Sequence, residues 1–177
     1  MGARRFCFTS PKNASTHGED FKYLGNYLEI FELLKKFAPA YQVESIKLFK
    51  LILFNYFISN GDAHFKNFSL IETPLGDFKL SPAYDLLNSR IHIDDKDFAL
   101  KDGLLPLNKA QVSIKSQFYT LGTLSGISEK QIEKVFLGLT SNKYKIERLI
   151  NASFLNDKIK RNYLQAYQTK LKELTEN

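Results

Sequence analysis

The densest chemistry in this sequence lies at residues 60–67, NGDAHFKN, directly after an apolar run. Asp62 and Asn67 stand five positions apart, with His64 and Lys66 between them. Phosphoryl transfer to a hydroxyl needs a carboxylate that orients and deprotonates the nucleophile, and ligands that hold Mg²⁺ against nucleotide phosphates. An Asp-x-x-x-x-Asn spacing on a loop that follows a buried helix meets both needs. This loop is therefore a candidate for phosphoryl-transfer chemistry.

A further carboxylate, Asp85, follows a predicted hairpin and stands where a second metal ligand would lie. Lys66 could neutralise the charge that develops on a transferred phosphate. The Asp-x-x-x-x-Asn spacing also occurs at Asp157 and Asn162, where periodicity predicts the outer face of a terminal helix. Context separates the two pairs, because only Asp62 follows directly after a buried segment.

A structural interpretation of the same loop stays open at this point. Asn60-Gly61 is a strong turn-forming pair, Asp62 could cap that turn, and His64 could be an ordinary hydrogen-bonded side chain. The functional interpretation stands beside it because catalytic and binding residues concentrate on loops that a rigid scaffold positions.

Apolar periodicity and capping patterns predict the elements that would position this loop. They are a strand at residues 4–9, a helix capped by Asn26 and ended by Pro39, a central helix at 45–59, a hairpin formed by 68–72 and 78–80, and four helices after Pro106. The last two of those helices are expected at 144–154 and 157–174. Because apolar residues occupy every face of 45–59, we expect that helix to be surrounded on all sides. The fold is predicted to be mainly α with one small β-hairpin.

Composition narrows the class of protein further. The length of 177 residues predicts a single domain over 1–177, and the net charge of +6 favours anionic partners. Cys7 is the only cysteine, which excludes an internal disulfide and fits a reducing, cytosolic setting. The longest apolar stretch, 48–58, is far shorter than the ~20 residues that span a bilayer. We therefore expect a cytoplasmic protein without membrane contact.

The segments NGDAHFKNFSL and LSPAYDLL resemble the catalytic and metal-binding segments of HipA-type serine/threonine kinases, the toxins of bacterial toxin–antitoxin modules. HGEDFKYLGNYLEI and FALKDGLLPLNKAQVSI are also similar to that family, so the resemblance covers roughly residues 4–139. It implies a protein-kinase-like carboxy-terminal lobe. It also implies ATP and Mg²⁺ as cofactors, a protein substrate, and an antitoxin-like DNA-binding partner that gives an indirect contact with DNA.

The resemblance assigns roles to five residues. Asp62 would be the catalytic base, Lys66 would assist at the γ-phosphate, and His64 would orient the loop. Asn67 and Asp85 would bind Mg²⁺.

One part of the family pattern is missing. Nothing before Phe21 supplies a phosphate-binding loop or an ATP-gripping lysine on a strand, so the sequence matches a carboxy-terminal lobe alone. A shortened chain, a subunit of a split kinase and a degenerate relative all fit. The alternative function is a catalytically incomplete module that docks an antitoxin-like partner.

Three other charged clusters have both a functional and an ordinary interpretation. His92 and its neighbouring carboxylates could form the metal site of a phosphohydrolase, but an acidic surface loop is the simpler interpretation. His17 with Glu19 and Asp20 could bind a metal, but a loop with a helix-capping carboxylate fits as well. The basic final helix could contact DNA or a partner, but a solvated face explains it too. Its basic residues are Lys158, Lys160, Arg161, Lys170 and Lys172.

Overall fold

The computed structural model describes residues 4–9, 22–91 and 96–175. The fold is mainly helical with one small antiparallel sheet, which confirms the predicted class. The elements are β1 (Arg5–Cys7), α1 (Tyr27–Phe37), α2 (Tyr41–Phe57), β2 (Ser69–Glu72), β3 (Phe78–Leu80), α3 (Ile114–Leu124), α4 (Glu129–Thr140), α5 (Lys143–Ala152) and α6 (Asp157–Thr175).

Local sequence signals determine where several helices begin. The side chain of Asn26 accepts a hydrogen bond from the backbone N–H of Glu29 at 3.3 Å, which caps α1 as predicted. Ser128 and Gln131 form a reciprocal capping box at the start of α4. Ala38 precedes Pro39 and has extended backbone angles, so α1 ends there.

α2 is the central helix, and it packs against α1, α4, α6 and β3. It begins at Tyr41, four residues before the predicted start, since the chain can turn into a helix soon after Pro39. Most of its apolar side chains are fully buried, which supports its predicted central position. The expectation that it is surrounded on all sides is wrong on one face, where Leu51 and Phe54 stay half-exposed beside exposed lysines.

The sheet has the order β1-β2-β3, and both neighbouring pairs are antiparallel. β2 and β3 form the predicted hairpin, and the predicted amino-terminal strand is present as β1. The buried carboxylate of Glu44 connects the sheet to α2 by accepting a hydrogen bond from the backbone N–H of Leu80 at 3.0 Å. Lys47 lies 2.6 Å from the other oxygen of Glu44 and neutralises this buried charge.

Lys170 of α6 is buried, with 3% of its surface exposed. Its ammonium lies 2.7 Å from Asp97, 3.4 Å from Glu173 and 3.2 Å from the hydroxyl of Tyr56. Asp97 also accepts a hydrogen bond from Arg90 at 3.1 Å. Burial and the adjacent Glu173 raise the pKa of Tyr56, so its hydroxyl stays protonated. α6 is therefore tied through Lys170 to the segment that follows Arg90.

The basic residues of α6 do not all lie on the predicted solvated face. Lys158 and Arg161 are exposed, in agreement with the simpler interpretation of the basic helix. For Lys170 that interpretation is wrong, because carboxylates from two parts of the chain surround it and compensate its desolvation. Across the described ranges, no helix is long and apolar enough to cross a membrane.

Two helical glycines allow a matched test of the packing between α3 and α4. A Cβ on Gly122 would lie 2.5 Å from Cδ1 of Ile132, a fully buried side chain, whereas a Cβ on Gly138 would meet no atom within 4 Å. We expect Gly122→Ala to lower the free energy of unfolding by about 1–2 kcal/mol through overpacking. Gly138→Ala should raise it by about 0.5–1 kcal/mol, because alanine favours helix. Chemical denaturation measures both, and equal effects of the two substitutions would contradict this packing.

Candidate functional site

The end of α2 delivers the chain into the candidate loop. Ser59 adopts a left-handed backbone with φ 57° and turns the chain sharply away from the helix axis. The backbone N–H of Asn60 then donates to the carbonyl of Asn55 at 2.9 Å. A left-handed conformation is unusual for a serine, so tertiary contacts must hold this turn.

The carboxamide of Asn60 holds three parts of the site together. Its Nδ2 donates to Oδ1 of Asn55 and to the backbone carbonyl of Asp85, both at 2.9 Å. Its Oδ1 accepts from the backbone N–H of Asp62 at 3.3 Å. Asn60 is only 2% exposed, so these hydrogen bonds form out of contact with water. The end of α2, the loop with Asp62 and the segment with Asp85 are thereby fixed relative to one another.

Ser89 supplies a second connection between the same segments. Its Oγ accepts from the backbone N–H of Gly61 at 2.9 Å, and its own backbone N–H donates to the carbonyl of Ser59 at 3.2 Å. The residues after Asp85 therefore pack back onto the loop that precedes Asp62.

Asp62 is half-buried, and its Oδ1 accepts a hydrogen bond from the hydroxyl of Tyr23 at 2.8 Å. Burial raises the pKa of Tyr23, which keeps this hydroxyl a donor. The turn itself is closed by the side chain of Asn60, not by that of Asp62. The Asp62 carboxylate is thus oriented by a separate element and is not occupied by the role of turn cap.

Asn67 and Asp85 lie in direct contact. The residues Phe65–Asn67 form a short 3₁₀ turn, in which Oδ1 of Asn67 accepts from the backbone N–H of His64 at 2.9 Å. Nδ2 of Asn67 donates to Oδ2 of Asp85, a residue with φ 56°. Asn67 is buried and Asp85 is exposed, so the pair lies at the surface of the loop. The fold brings together the two residues that the sequence proposes as metal ligands.

Lys66 is exposed on the same loop, with no ion pair to a described residue. Its backbone carbonyl accepts a hydrogen bond from the hydroxyl of Tyr84 at 2.7 Å. The guanidinium of Arg5 lies 4.0 Å from the centre of the Tyr84 ring, so β1 also contacts this part of the site. The backbone at Lys66 is fixed while its ammonium remains free to reach a ligand.

His64 is buried, and its ring centre lies 5.3 Å from that of Tyr23. Burial and the positive charge of Lys22 lower its pKa, so the imidazole is neutral at neutral pH. No described residue hydrogen-bonds to its buried Nδ1. Its backbone positions Asn67, while the orienting role of its side chain stays a prediction.

Sequence reasoning missed three contributors to the site. Tyr23 lies in a segment that resembles the family, but its distance from Asp62 along the chain hides their contact. Asn60 was interpreted only as a turn former, although a buried asparagine between a helix and a loop can also hydrogen-bond to a distant backbone. Tyr84 lies inside the segment LSPAYDLL, and its direct neighbour Asp85 was the residue singled out.

Most of the other candidate ligands cannot be assigned a position, and Asp97 is the described one among them. His17, Glu19 and Asp20, together with His92, Asp94 and Asp95, lie outside the described residues. Asp97 is described and contacts Arg90 and Lys170. Within the described ranges, no group of three or more His, Cys, Asp or Glu side chains could hold a metal ion.

The second Asp-x-x-x-x-Asn pair is not part of this site. Asp157 and Asn162 are both exposed on α6, as predicted for an outer helical face. The pair therefore serves as an internal control for the spacing.

The sequence matches a known protein family. A family model described as the HipA-like C-terminal domain matches residues 4–145, which is most of the chain. The chain belongs to this family. The expected resemblance to HipA-type proteins is confirmed at the level of the domain.

Individual relatives are more distant. "Putative kinase Y4mE" of Sinorhizobium fredii (strain NBRC 101917 / NGR234) is 36% identical over 83 residues, 47% of this chain and 18% of that protein. "Putative kinase Y4dM" of the same strain is 33% identical over 114 residues, 64% of this chain and 27% of that protein. The HipA-like domain thus spans about a quarter or less of the curated relatives it matches.

A solved structure shares the fold. It is the Shewanella oneidensis MR-1 toxin–antitoxin system complex of HipA, HipB and operator DNA, and the similarity covers 89% of this chain and 38% of the matched chain. The TM-score is 0.60 at 19% sequence identity. At that identity the likeness establishes a common fold for the HipA-like domain.

Replacing Asn60 by aspartate tests the hydrogen-bonded junction. A carboxylate cannot donate, so Asn60→Asp would place one carboxylate oxygen against Oδ1 of Asn55 and the backbone carbonyl of Asp85 in a buried position. We expect a loss of about 2–3 kcal/mol in unfolding free energy. Chemical denaturation measures it, with Asn162→Asp on the exposed face of α6 as the control. Equal stability of the two variants would show that the junction does not stabilise the domain.

The environment of His64 predicts a dependence of stability on pH. Its pKa lies below 6.5 in the folded chain. As the pH falls, the unfolded chain therefore takes up a proton on this side chain before the folded chain does. The stabilisation from neutral His64 should be complete above about pH 6.5 and decrease as the pH falls below that value. NMR titration of the imidazole gives the pKa, and denaturation of His64→Gln should show a shallower decrease on acidification. A folded-state pKa at or above 6.5 would contradict the burial of this ring.

Proposed function

We propose that this HipA-like domain is the catalytic lobe of a protein serine/threonine kinase that transfers the γ-phosphate of ATP to a hydroxyl of a protein substrate. The observation that carries the proposal is the contact between Asn67 and Asp85 beside the loop of Asp62. Asn60 hydrogen-bonds to the backbone of both segments and holds them in one site.

Asp62 is the proposed catalytic base. A carboxylate can accept at both of its oxygens, so the hydrogen bond from Tyr23 to Oδ1 orients the group while Oδ2 can accept the substrate proton. Its attachment to the end of the rigid α2 limits how far the carboxylate can move. That restriction favours the precise geometry that proton abstraction requires.

Asn67 and Asp85 are the proposed cation ligands. Their side chains offer a carboxamide oxygen and a carboxylate, the oxygen donors that Mg²⁺ prefers, and the hydrogen bond from Nδ2 of Asn67 to Asp85 holds the two side chains next to each other. Oδ1 of Asn67 accepts from the backbone N–H of His64, so it would bind the cation through its second lone pair. Held by Asn67 and Asp85, Mg²⁺ would neutralise charge on the nucleotide phosphates. Lys66, exposed one residue before Asn67, would contact the transferred phosphate as a mobile point charge. His64 is proposed to have only an orienting role, beside the hydrogen bond that its backbone N–H donates to Asn67.

The nucleotide would need further groups. The sequence contains no Gly-x-Gly-x-x-Gly loop, and the chain spans a minor part of its relatives. Phosphotransfer is therefore proposed for the protein at its natural length. The alternative function, a catalytically incomplete lobe that docks a partner, predicts no turnover in that protein.

We propose that the protein acts as the toxin of a cytoplasmic toxin–antitoxin module, next to an antitoxin-like DNA-binding partner. Membership of the HipA-like family supports this proposal. The Shewanella complex, in which HipA occurs together with HipB and operator DNA, is consistent with it. Contact with DNA would then be indirect, through the partner.

Two aspartate variants separate chemistry from binding. In the protein at its natural length, Asp62→Asn should lower phosphate transfer from radiolabelled Mg·ATP by at least ~100-fold, because it removes the general base. It should leave Mg·ATP affinity, measured by calorimetry, nearly unchanged. Asp85→Asn should weaken Mg·ATP binding itself, because it removes the anionic ligand.

Asp157→Asn is the matched control, because Asp157 has the same spacing to an asparagine on an exposed helix. It should change neither transfer nor binding. Full turnover in Asp62→Asn would exclude Asp62 as the base. A folded wild-type protein that binds a partner and shows no turnover would favour the docking module.

A further inference from the structure

A groove of about 440 Å³ runs along the uncovered face of α2. One side of the groove is formed by four residues of α2, with Leu51 and Phe54 in its floor and Lys47 and Lys50 at its rim. They occupy positions i, i+3, i+4 and i+7, which place all four on one side of the helix. The opposite wall consists of β3 and the segment that follows it, up to Leu86. We call this feature the lysine groove.

The lysine groove combines an apolar floor with a basic rim. Leu51 and Phe54 are half-exposed in the floor, and Leu86 is 42% exposed at the far wall. Lys47, Lys50 and Lys79 stand around them, and the residues that line the groove include no carboxylate.

Two of the three lysines have no counter-charge among the described residues. Lys47 is paired with Glu44, which is buried beneath and also holds the backbone of Leu80. Lys50 and Lys79 are exposed and form no ion pair with any residue in the described ranges. The groove therefore presents two uncompensated positive charges beside an apolar surface.

The far wall of the groove is the reverse side of the candidate site. Pro82, Ala83 and Leu86 line the groove, while Tyr84 and Asp85 between them face the catalytic loop. A molecule bound in the groove would thus contact the segment that carries Asp85. It would do so without contacting Asp62 or Asn67.

We propose that the lysine groove binds an acidic segment of a partner protein that presents large apolar side chains between its carboxylates. The charges of Lys50 and Lys79 complement the acidic residues, and the floor at Leu51 and Phe54 accepts the apolar ones. A nucleic acid fits less well, because two free lysines neutralise few phosphates and a phosphate backbone has nothing to place on an apolar floor. This inference is independent of the proposed kinase activity.

A fluorescein-labelled peptide of sequence EEDLFEDE is the probe, and its anisotropy is measured against the chain without ATP. The double variant Lys50→Glu, Lys79→Glu should weaken binding at least ~10-fold, since two attractive pairs become repulsive. The double variant Lys130→Glu, Lys134→Glu on the exposed face of α4 carries the same change in net charge and should bind like wild type. The peptide EEDSSEDE should bind at least ~10-fold more weakly than the probe, because it lacks the apolar anchors.

Several results would overturn the proposal. Equal weakening by both lysine pairs, or equal binding of the two peptides, would reduce the effect to general attraction of acidic chains. The groove would be assigned to nucleic acid if an oligothymidine displaces the probe at a lower concentration than the unlabelled peptide does, and if the variant Lys50→Glu, Lys79→Glu no longer binds that oligothymidine. Self-association of wild type in sedimentation, abolished by Lys50→Glu with Lys79→Glu, would assign it to a second copy of the chain. Absence of probe binding would reject the docking site outright.

Discussion

The geometry of the candidate site depends on one buried carboxamide. Asn60 uses both hydrogens of Nδ2 and its Oδ1 to connect the end of α2, the loop at Asp62 and the segment at Asp85. These connections are short and shielded from water, so each group would be costly to leave unpaired. Asp62 and Asp85 are 23 positions apart by their residue numbers, and this side chain keeps their backbones in a fixed relation.

The hydrogen bonds of Asn60 can hold the site in place because α2, from whose end they extend, is itself anchored on several sides. Its buried face packs against α1, α4 and α6, and buried Glu44 attaches it to β3. The loop after Phe57 therefore begins from a rigid support. Lys170 extends the same framework by tying α6 to Asp97, in the segment that follows the site. The buried charges of Glu44 and Lys170 thus connect elements that are distant in sequence, and each has an opposite charge beside it.

The uncovered face of α2 gives the central helix a second role. The carboxyl end of α2 supports the candidate loop, and the uncovered face of the helix forms one side of the lysine groove. The segment after β3 lies between the site and the groove, because Pro82, Ala83 and Leu86 line the groove while Tyr84 and Asp85 face the site.

Local patterns of residues were enough to predict the elements that have strong capping or turn signals. Asn26 with Glu29 and Ser128 with Gln131 cap their helices, and the two runs around Gly76 form the expected hairpin, because capping and turn chemistry act over a few residues. The boundaries of α2 were less certain, because its apolar residues lie on all faces and give no clear period. The spacing of Asp62 and Asn67 identified the candidate loop, but an identical spacing on α6 shows that spacing alone is insufficient.

Which distant groups meet depends on tertiary packing and could not be predicted from local patterns. Nothing in the local sequence indicates that Tyr23 donates to Asp62, that Asn60 reaches the carbonyl of Asp85, or that Lys170 is buried. These contacts depend on how whole helices pack, and a lysine or asparagine has the same local propensities whether it becomes buried or exposed. The sequence thus determined which residues have the chemistry for the site, while the packing of α2, α6 and the hairpin decided their relative positions.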